Sequence, residues 1–453
     1  MSKRVAIIGA GFSGTMTAVQ LAKRGIDVSL IGRAPQVGKG VAYSTVDPAH
    51  LLNIPAGKMG AWPEAPADFA NVTRSDPETY VPRMLFGNYL RDILDASAVT
   101  VVEGDAVGVR PGWTVQMADG SSIAADALVL APGNQAPDAL PFARDLPERL
   151  FAADPWGPAG RAAIVKAVAS AVVEKGGGDV LVIGSGLSMI DVALSLDAAG
   201  HRGKLVAVSR RGQRPRVHLE TMSAVPSSDD APIGSLSALF SWVRQRTGEC
   251  EWRDAVDSVR PRTHELWQSL SFDDQRRFMR HARPWWDVHR HRIAPRAGEI
   301  VERMIAEGRM EVMAGRVQSL REVENRPSTS SGRADFEGSE LEAVIRRRGA
   351  TDNDAPRRFA VGINCTGPLH AIARTRDPVL RSLLDTGLAE PDALGIGLKV
   401  DDDVRVIGPN TPQAQRLWAM GSLGKARYWE IIAVPDIRVQ AEQVAEAIVR
   451  ELK

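Results

Sequence analysis

A glycine turn set between an apolar strand and a helical pattern narrows most sharply what this chain can become. Arg4-Val5-Ala6-Ile7-Ile8 runs into Gly9, Gly11 and Gly14, and apolar Met16, Val19, Leu21 and Ala22 follow in a helical pattern. Each glycine of such a G-x-G-x-x-G turn has its own steric task. Gly9 permits the tight turn, Gly11 lets a pyrophosphate approach the backbone, and Gly14 lets helix and strand pack closely. The amides at the helix start, together with the helix dipole, favour phosphate charge. Gly9, Gly11, Phe12, Ser13 and Gly14 are therefore candidate cofactor-binding residues. A tight turn without a ligand is the competing reading, and the strand-to-helix context counts against it.

The same grammar returns at Asp179-Val180-Leu181-Val182-Ile183, after the break Gly176-Gly177-Gly178. Gly184, Ser185, Gly186, Leu187 and Ser188 follow, with Met189 in place of the third glycine. Alone this turn is the weaker match. Two dinucleotide folds in one chain, however, suggest two nucleotides whose reactive rings meet, usually a flavin and a nicotinamide. The expected fold class is α/β, with two Rossmann-like dinucleotide-binding domains (FAD and NADP) and a helical insertion.

The strand after each glycine helix carries the residues that read a ribose. Leu205-Val206-Ala207-Val208-Ser209 ends in Arg210-Arg211. Arginines there can meet a ribose 2′-phosphate, which points to NADP rather than NAD, against the plainer reading of a solvated strand end. In the first copy, Val28-Ser29-Leu30-Ile31 is followed by Gly32, where a ribose-binding carboxylate is expected, and then by Arg33. Arg33 either stacks on the adenine or meets a phosphate, or it is a solvated loop arginine.

Between these anchors, residues 38–66 are rich in Gly, Pro, Ala and Asn and too long for an ordinary connection, which marks a functional loop. An amphipathic helix is expected over 80–94, and short strands over 99–134 with turns at Pro111-Gly112 and Asp119-Gly120. Residues 217–307 change character, and Trp242, Trp252, Trp267, Trp285 and Trp286 fall in helix-like sequence rich in Arg and His. His289 and His291 have a spacing found in metal sites, but no further Cys or carboxylate completes a set, so no metal is expected. Trp286, His289 and His291 stay as candidate substrate contacts, weighed against plain helix packing. Strands resume over 310–366, broken by a polar tract at 325–338 that reads as an exposed hairpin or mobile loop. A strand at 416–422, a loop with Trp429 and Glu430, and a helix over 435–452 end the chain.

Composition excludes more than it selects. Fifty-six basic residues against 55 acidic ones leave a net charge of +1, which gives no electrostatic case for nucleic acid or a membrane surface. No apolar run is long enough to span a bilayer, and the N-terminus enters a strand without a signal-peptide core. Cys250 and Cys365 are the two cysteines, which excludes a CxxC redox pair and fits a reducing, cytoplasmic setting. Cys365 lies in an apolar strand and reads as a core residue rather than a nucleophile.

Taken with Gly40-Val41-Ala42-Tyr43-Ser44, Leu52-Asn53-Ile54-Pro55-Ala56-Gly57-Lys58-Met59, Asn364 to Pro368 and Trp429-Glu430-Ile431-Ile432-Ala433-Val434-Pro435, these motifs give the chain a family resemblance over nearly its whole length. It resembles the FAD-NAD(P)-binding family of two-dinucleotide-domain flavoproteins and, more distantly, flavin-dependent N-hydroxylating monooxygenases. The resemblance implies that Gly9 to Gly14 hold the FAD pyrophosphate and that Val41, Ala42, Asn53 and Met59 run beside the flavin. Gly133 belongs to the turn after the strand at 127–131, and Gly421, Glu430 and Ile431 would cover the ribityl chain and flavin edge. Gly184 to Ser188, with Arg210 and Arg211, would carry NADPH. The domains expected are 1–150 and 366–453 for FAD, 176–216 and 308–365 for NADP, and a helical insertion at 217–307 forming a substrate wall.

The expected function is an FAD-dependent, NADPH-reduced oxidoreductase, foremost a monooxygenase that uses molecular oxygen on an amine nitrogen or sulfur of a small polar substrate. Alternatives are an NAD(P)H:acceptor reductase or oxidase without oxygen insertion, and a non-catalytic nucleotide-binding module. The catalytic residues, the substrate and the oligomeric state are not legible in the sequence.

Overall fold

β1 (Arg4–Ile8) is buried on both faces from Val5 onward, as a central parallel strand must be. It sits in a five-stranded parallel sheet of order β15-β7-β1-β2-β3. The partners are β2 (Asp27–Gly32), β3 (Thr100–Glu103), β7 (Ala127–Leu130) and β15 (Leu417–Ala419). The helix Phe12–Lys23 connects β1 to β2, and the C-terminal helix Val434–Leu452 packs against it. β4 (Ala106–Arg110), β5 (Thr114–Met117) and β6 (Ser122–Ala124) form a small antiparallel sheet. Its turns use Gly112 (φ +79°) and Gly120 (φ +86°), in the left-handed region that glycine enters freely. These belong to the first of two units, comprising residues 1–135, 220–286 and 369–453.

The second unit comprises residues 136–219 and 287–368. Its strands are β8 (Phe151–Ala152), β9 (Val180–Ile183), β10 (Leu205–Ser209), β11 (Met310–Glu324), β12 (Ser339–Arg347), β13 (Arg357–Phe359) and β14 (Val361–Asn364). They form one sheet of order β13-β12-β11-β10-β9-β14-β8. β11-β10-β9-β14-β8 are parallel, and β12 and β13 extend the edge antiparallel. The order β11-β10-β9 repeats the β3-β2-β1 of the first sheet, so both glycine turns leave equivalent strands.

The computed structural model describes residues 3–156, 178–220, 225–324, 339–410 and 415–453; the polar tract 325–338 and Gly176-Gly177 lie outside them. The stretch expected as one helical insertion, 217–307, divides between the units: 220–286 belong to the first, 217–219 and 287–307 to the second. The physical reason lies in the tryptophans. Trp267 stacks on Trp429 at 4.8 Å and donates its Nε1 to the Ala426 carbonyl at 2.7 Å, while Phe278 meets Trp429 edge-on at 5.3 Å. These contacts bind 220–286 to the first unit. Among the described residues no helix is long and apolar enough to cross a membrane.

Candidate functional site

The first glycine turn is sterically forced at two positions and open at the third. A Cβ on Gly9 (φ +107°) would stand 2.1 Å from the Ala131 carbonyl oxygen, and one on Gly14 would stand 1.9 Å from that of Gly9. A Cβ on Gly11 would meet only the Gly40 Cα, at 3.5 Å. The helix Phe12–Lys23 has no side-chain cap and no acid in its first turn, so its amides and positive dipole end remain for an anion. That arrangement fits a pyrophosphate.

Around the turn, Gly40 presses on Gly11, and Val41 and Ala42 stand exposed on the short helix Gly40–Tyr43, leaving an apolar ledge. Phe12 is buried, with its ring 5.9 Å from that of Phe86, so only its backbone can serve a ligand. Ser13 faces Gly421, where a Cβ would lie 3.1 Å from the Ser13 hydroxyl, and the Gly421 N–H is bonded to Gln440 Oε1 at 2.9 Å. The Gly133 carbonyl accepts from the Ser422 hydroxyl at 3.1 Å. Asn53 is half-buried, whereas Met59 is 2 % exposed and packs in the core of this unit.

The missing carboxylate at Gly32 has a steric cause. A Cβ there would lie 2.4 Å from the Ala10 Cβ, so no side chain fits at the end of β2. Arg33 forms an ion pair with Asp105. Asp105 follows β3, and nothing in the sequence marks it as the partner.

Glu430 occupies the left-handed region at φ +68°, a conformation costing roughly 1–2 kcal/mol outside glycine, and is buried. Its carboxylate accepts the Trp286 indole N–H at 2.5 Å, while Ile431 beside it is buried. Trp286 thus joins the tryptophan-rich segment to the segment expected to cover the flavin. His289 and His291 are half-buried and belong to the second unit. Among the described residues no group of three or more His, Cys, Asp or Glu side chains is placed to hold a metal ion.

In the second unit, Gly184 (φ +113°) packs against the Cys365 carbonyl oxygen, where a Cβ would stand 2.1 Å away, and Gly186 has open space. The helix Leu187–Ala198 again lacks a side-chain cap and a first-turn acid. Met189, in the place of Gly14, is fully buried. Leu187 and Ser188 are half-buried at the helix start, and the Ser188 hydroxyl accepts from Trp156 Nε1 at 3.0 Å. Ser185 spends its hydroxyl within the protein: it donates to the Gln213 carbonyl and shares a hydrogen bond with the Ser209 hydroxyl at 2.7 Å. Ser209 Oγ in turn accepts the Gly212 N–H at 3.0 Å, which locks the arginine turn to the glycine turn. Among the described residues Arg210 and Arg211 form no ion pair, whereas Arg214 pairs with Glu302 at 2.7 Å. Cys365 is buried, and burial, with the nearby Asp191 charge, pushes its thiol well above the usual range.

With this geometry in view, residues 6–135 match the family model described as FAD-NAD(P)-binding. No curated protein matches the chain in sequence. Among solved structures, the chain is similar to L-lysine 6-monooxygenase from Pseudomonas syringae (14 % identity, TM-score 0.66) and to ornithine N-hydroxylase from Kutzneria sp. 744 (13 %, 0.66), with 100 % of both chains covered in each case. It is also similar to thioredoxin reductase from Lactococcus lactis (13 %, 0.52), over 100 % of this chain and 99 % of that one. At these identities the likeness is one of fold, with two Rossmann-like dinucleotide-binding domains.

Proposed function

We propose, on the premise that residues 6–135 are an FAD-NAD(P)-binding domain within a two-dinucleotide flavoprotein fold, that this chain is an NADPH-reduced, FAD-dependent monooxygenase. Its substrate is a small polar molecule oxygenated at an amine nitrogen or a sulfur. One observation carries the oxidoreductase reading: two uncapped helix starts, each behind a glycine turn open at its second glycine, on two sheets of the same strand order. The backbone at Gly11 to Ser13 would hold FAD there, and the flavin would supply the redox chemistry between NADPH and oxygen or another acceptor.

The protein's part is positional. The Gly11, Phe12 and Ser13 backbone would hold the FAD pyrophosphate, and Val41, Ala42 and Asn53 would line the flavin. Glu430 would fix the covering segment through Trp286. Gly186 to Ser188 would take the NADPH pyrophosphate, with Arg210 and Arg211 on the 2′-phosphate. Trp286 in the first unit, and His289 and His291 in the second, are each proposed as substrate contacts.

Oxygen insertion is supported by the fold likeness to the lysine and ornithine enzymes and by the cysteines. A disulfide relay needs two exchanging thiols. Here Cys250 and Cys365 lie in separate units, and Cys365 is buried with a raised thiol. The likeness to thioredoxin reductase keeps a second reading, an NAD(P)H:acceptor reductase or oxidase.

The test is to purify the protein, reduce it anaerobically with NADPH or NADH, and admit air with candidate amines and thioethers. Bleaching of a flavin band that is faster with NADPH, then oxygenated product matching NADPH consumed, supports the proposal. Peroxide matching NADPH consumed, without oxygenated product, favours the oxidase. A protein that neither retains nor rebinds FAD refutes both.

A further inference from the structure

The β11–β12 hairpin carries cations that the two-arginine phosphate site leaves unexplained. Ser209, at the end of β10, is in register with Ala314 of β11. The turn that follows lies on that residue, since a Cβ on Gly212 would stand 2.8 Å from the Ala314 nitrogen. The Ala314 carbonyl accepts the Arg348 N–H at 2.8 Å. Arg210, Arg211, Ala314 and Arg348 are therefore neighbours along the backbone at one end of the sheet.

Two residues past Ala314, Arg316 is the direct antiparallel partner of Arg346. Like charges opposite one another across strands are destabilising. Among the described residues neither forms an ion pair, and neither does Arg348. The surrounding arginines are neutralised: Arg347 pairs with Asp354 at 3.0 Å, Arg321 with Glu342 at 2.5 Å, and Arg357 with Glu311 at 3.4 Å. Side chains alternate along a strand, so Arg316 and Arg346 share one face while Arg347 and its carboxylates take the other. Among the described residues Arg316 and Arg346 are thus a cross-strand pair of like charges without a carboxylate partner, at the end of β11 that follows Ala314.

In a unit of order β3-β2-β1, the dinucleotide runs from the glycine turn after the inner strand toward the end of the second. In β11-β10-β9 that direction leads to Arg210 and Arg211, and the next strand is β11. An anion past the end of β10 thus lies toward Ala314 and Arg316. Guanidinium groups suit a phosphate dianion through paired, charge-assisted hydrogen bonds. A bare 2′-hydroxyl would leave the cations repelling one another, so the same cluster selects against NADH.

We propose that Arg316, Arg346 and Arg348 complete the 2′-phosphate site begun by Arg210 and Arg211 and so determine the preference for NADPH. This rests on the NADPH reading above, and the experiment separates the two. Binding of adenosine 2′,5′-bisphosphate and of 5′-AMP to the purified full chain is measured by calorimetry, for wild type, Arg210→Gln, and Arg316→Gln, Arg346→Gln and Arg348→Gln singly and combined.

Loss of one charge-assisted contact should weaken the bisphosphate by about tenfold, with 5′-AMP unchanged within about twofold. Lysine at the same positions should restore part of the loss. The combined variant should melt no lower than wild type, because it removes a like-charge pair. If Arg210→Gln weakens the bisphosphate but no hairpin variant does, the hairpin proposal fails and the NADPH reading stands. Equal weakening of both ligands by the hairpin variants also overturns it, as a diffuse charge effect. If wild type does not prefer the bisphosphate, or Arg210→Gln changes nothing, the NADPH reading falls and the proposal with it.

Discussion

Replacing Gly11 and Gly14 by alanine, one at a time, separates cofactor binding from folding. At Gly14 the new methyl lands 1.9 Å from the Gly9 carbonyl oxygen and 3.2 Å from the Ala131 Cβ. Backbone cannot rotate away as a side chain can, so the helix must shift off the sheet. Overpacking of this kind costs about 1–3 kcal/mol. At roughly 2–4 °C per kcal/mol for a large domain, the apoprotein midpoint should fall by several degrees. At Gly11 the methyl meets one atom at ordinary contact distance, so the fold loses only the N-cap preference of glycine over alanine, about 0.5–1 kcal/mol. The same methyl stands where a phosphate would approach the amides. Loss of one hydrogen bond to a charged group, about 1.5–3 kcal/mol, weakens FAD by roughly 10–150-fold. The assay is FAD titration of deflavinated protein by fluorescence quenching, alongside thermal melts without FAD. FAD affinity within twofold of wild type in Gly11→Ala, or an unshifted melt in Gly14→Ala, refutes the reasoning.

Trp286→Phe removes a hydrogen bond to the buried Glu430 carboxylate and should destabilise the first unit by about 1.5–3 kcal/mol, read as a lower midpoint in denaturant; an unchanged midpoint refutes the role of that bond. In native protein a thiol reagent should label no more than one cysteine, Cys250, because Cys365 is buried with a raised thiol; rapid native labelling of Cys365, mapped by mass spectrometry, counters this. Burial holds His201 below its ordinary value of 6.5, with its Nε2 bonded to the Gly178 carbonyl at 3.0 Å. The unfolded chain therefore binds the proton first: stability is intact above about pH 6.5 and declines as pH falls below it toward the folded value. His264, also lowered by burial, acts with the same sign, so melting points between pH 8 and 5.5 should drop less in His201→Gln and His264→Gln. Identical slopes in both variants and wild type remove histidine as the cause.

The parts legible in the sequence are those whose physics is local. Gly9 to Gly14 and Gly184 to Ser188 read as turns because strand, glycines and helix are contiguous, and both emerge with helix starts uncapped. What escaped depends on register between distant segments. The ion pair of Arg33 with Asp105 exists only once β2 and β3 are aligned. Met59 sits in a stretch expected to run beside the flavin, and its side chain packs in the core of the first unit. The Trp267–Trp429 stack, which decides where the 220–286 segment belongs, joins residues with no shared pattern. Arg316 opposite Arg346 exists only once β11 and β12 are aligned.

The order in which segments build the two units sets a sequence of events during translation. The first unit begins with residues 1–135 but is completed only by 369–453, whereas the second is finished at 368. β7 is paired with β1 on one side and awaits β15 on the other, and the helix Phe12–Lys23 awaits Val434–Leu452. On the ribosome the unit that starts later is the first able to close. Until residues 417–419 emerge, the nascent chain carries an open apolar edge at β7, the kind of strand that chaperones and neighbouring nascent chains compete for.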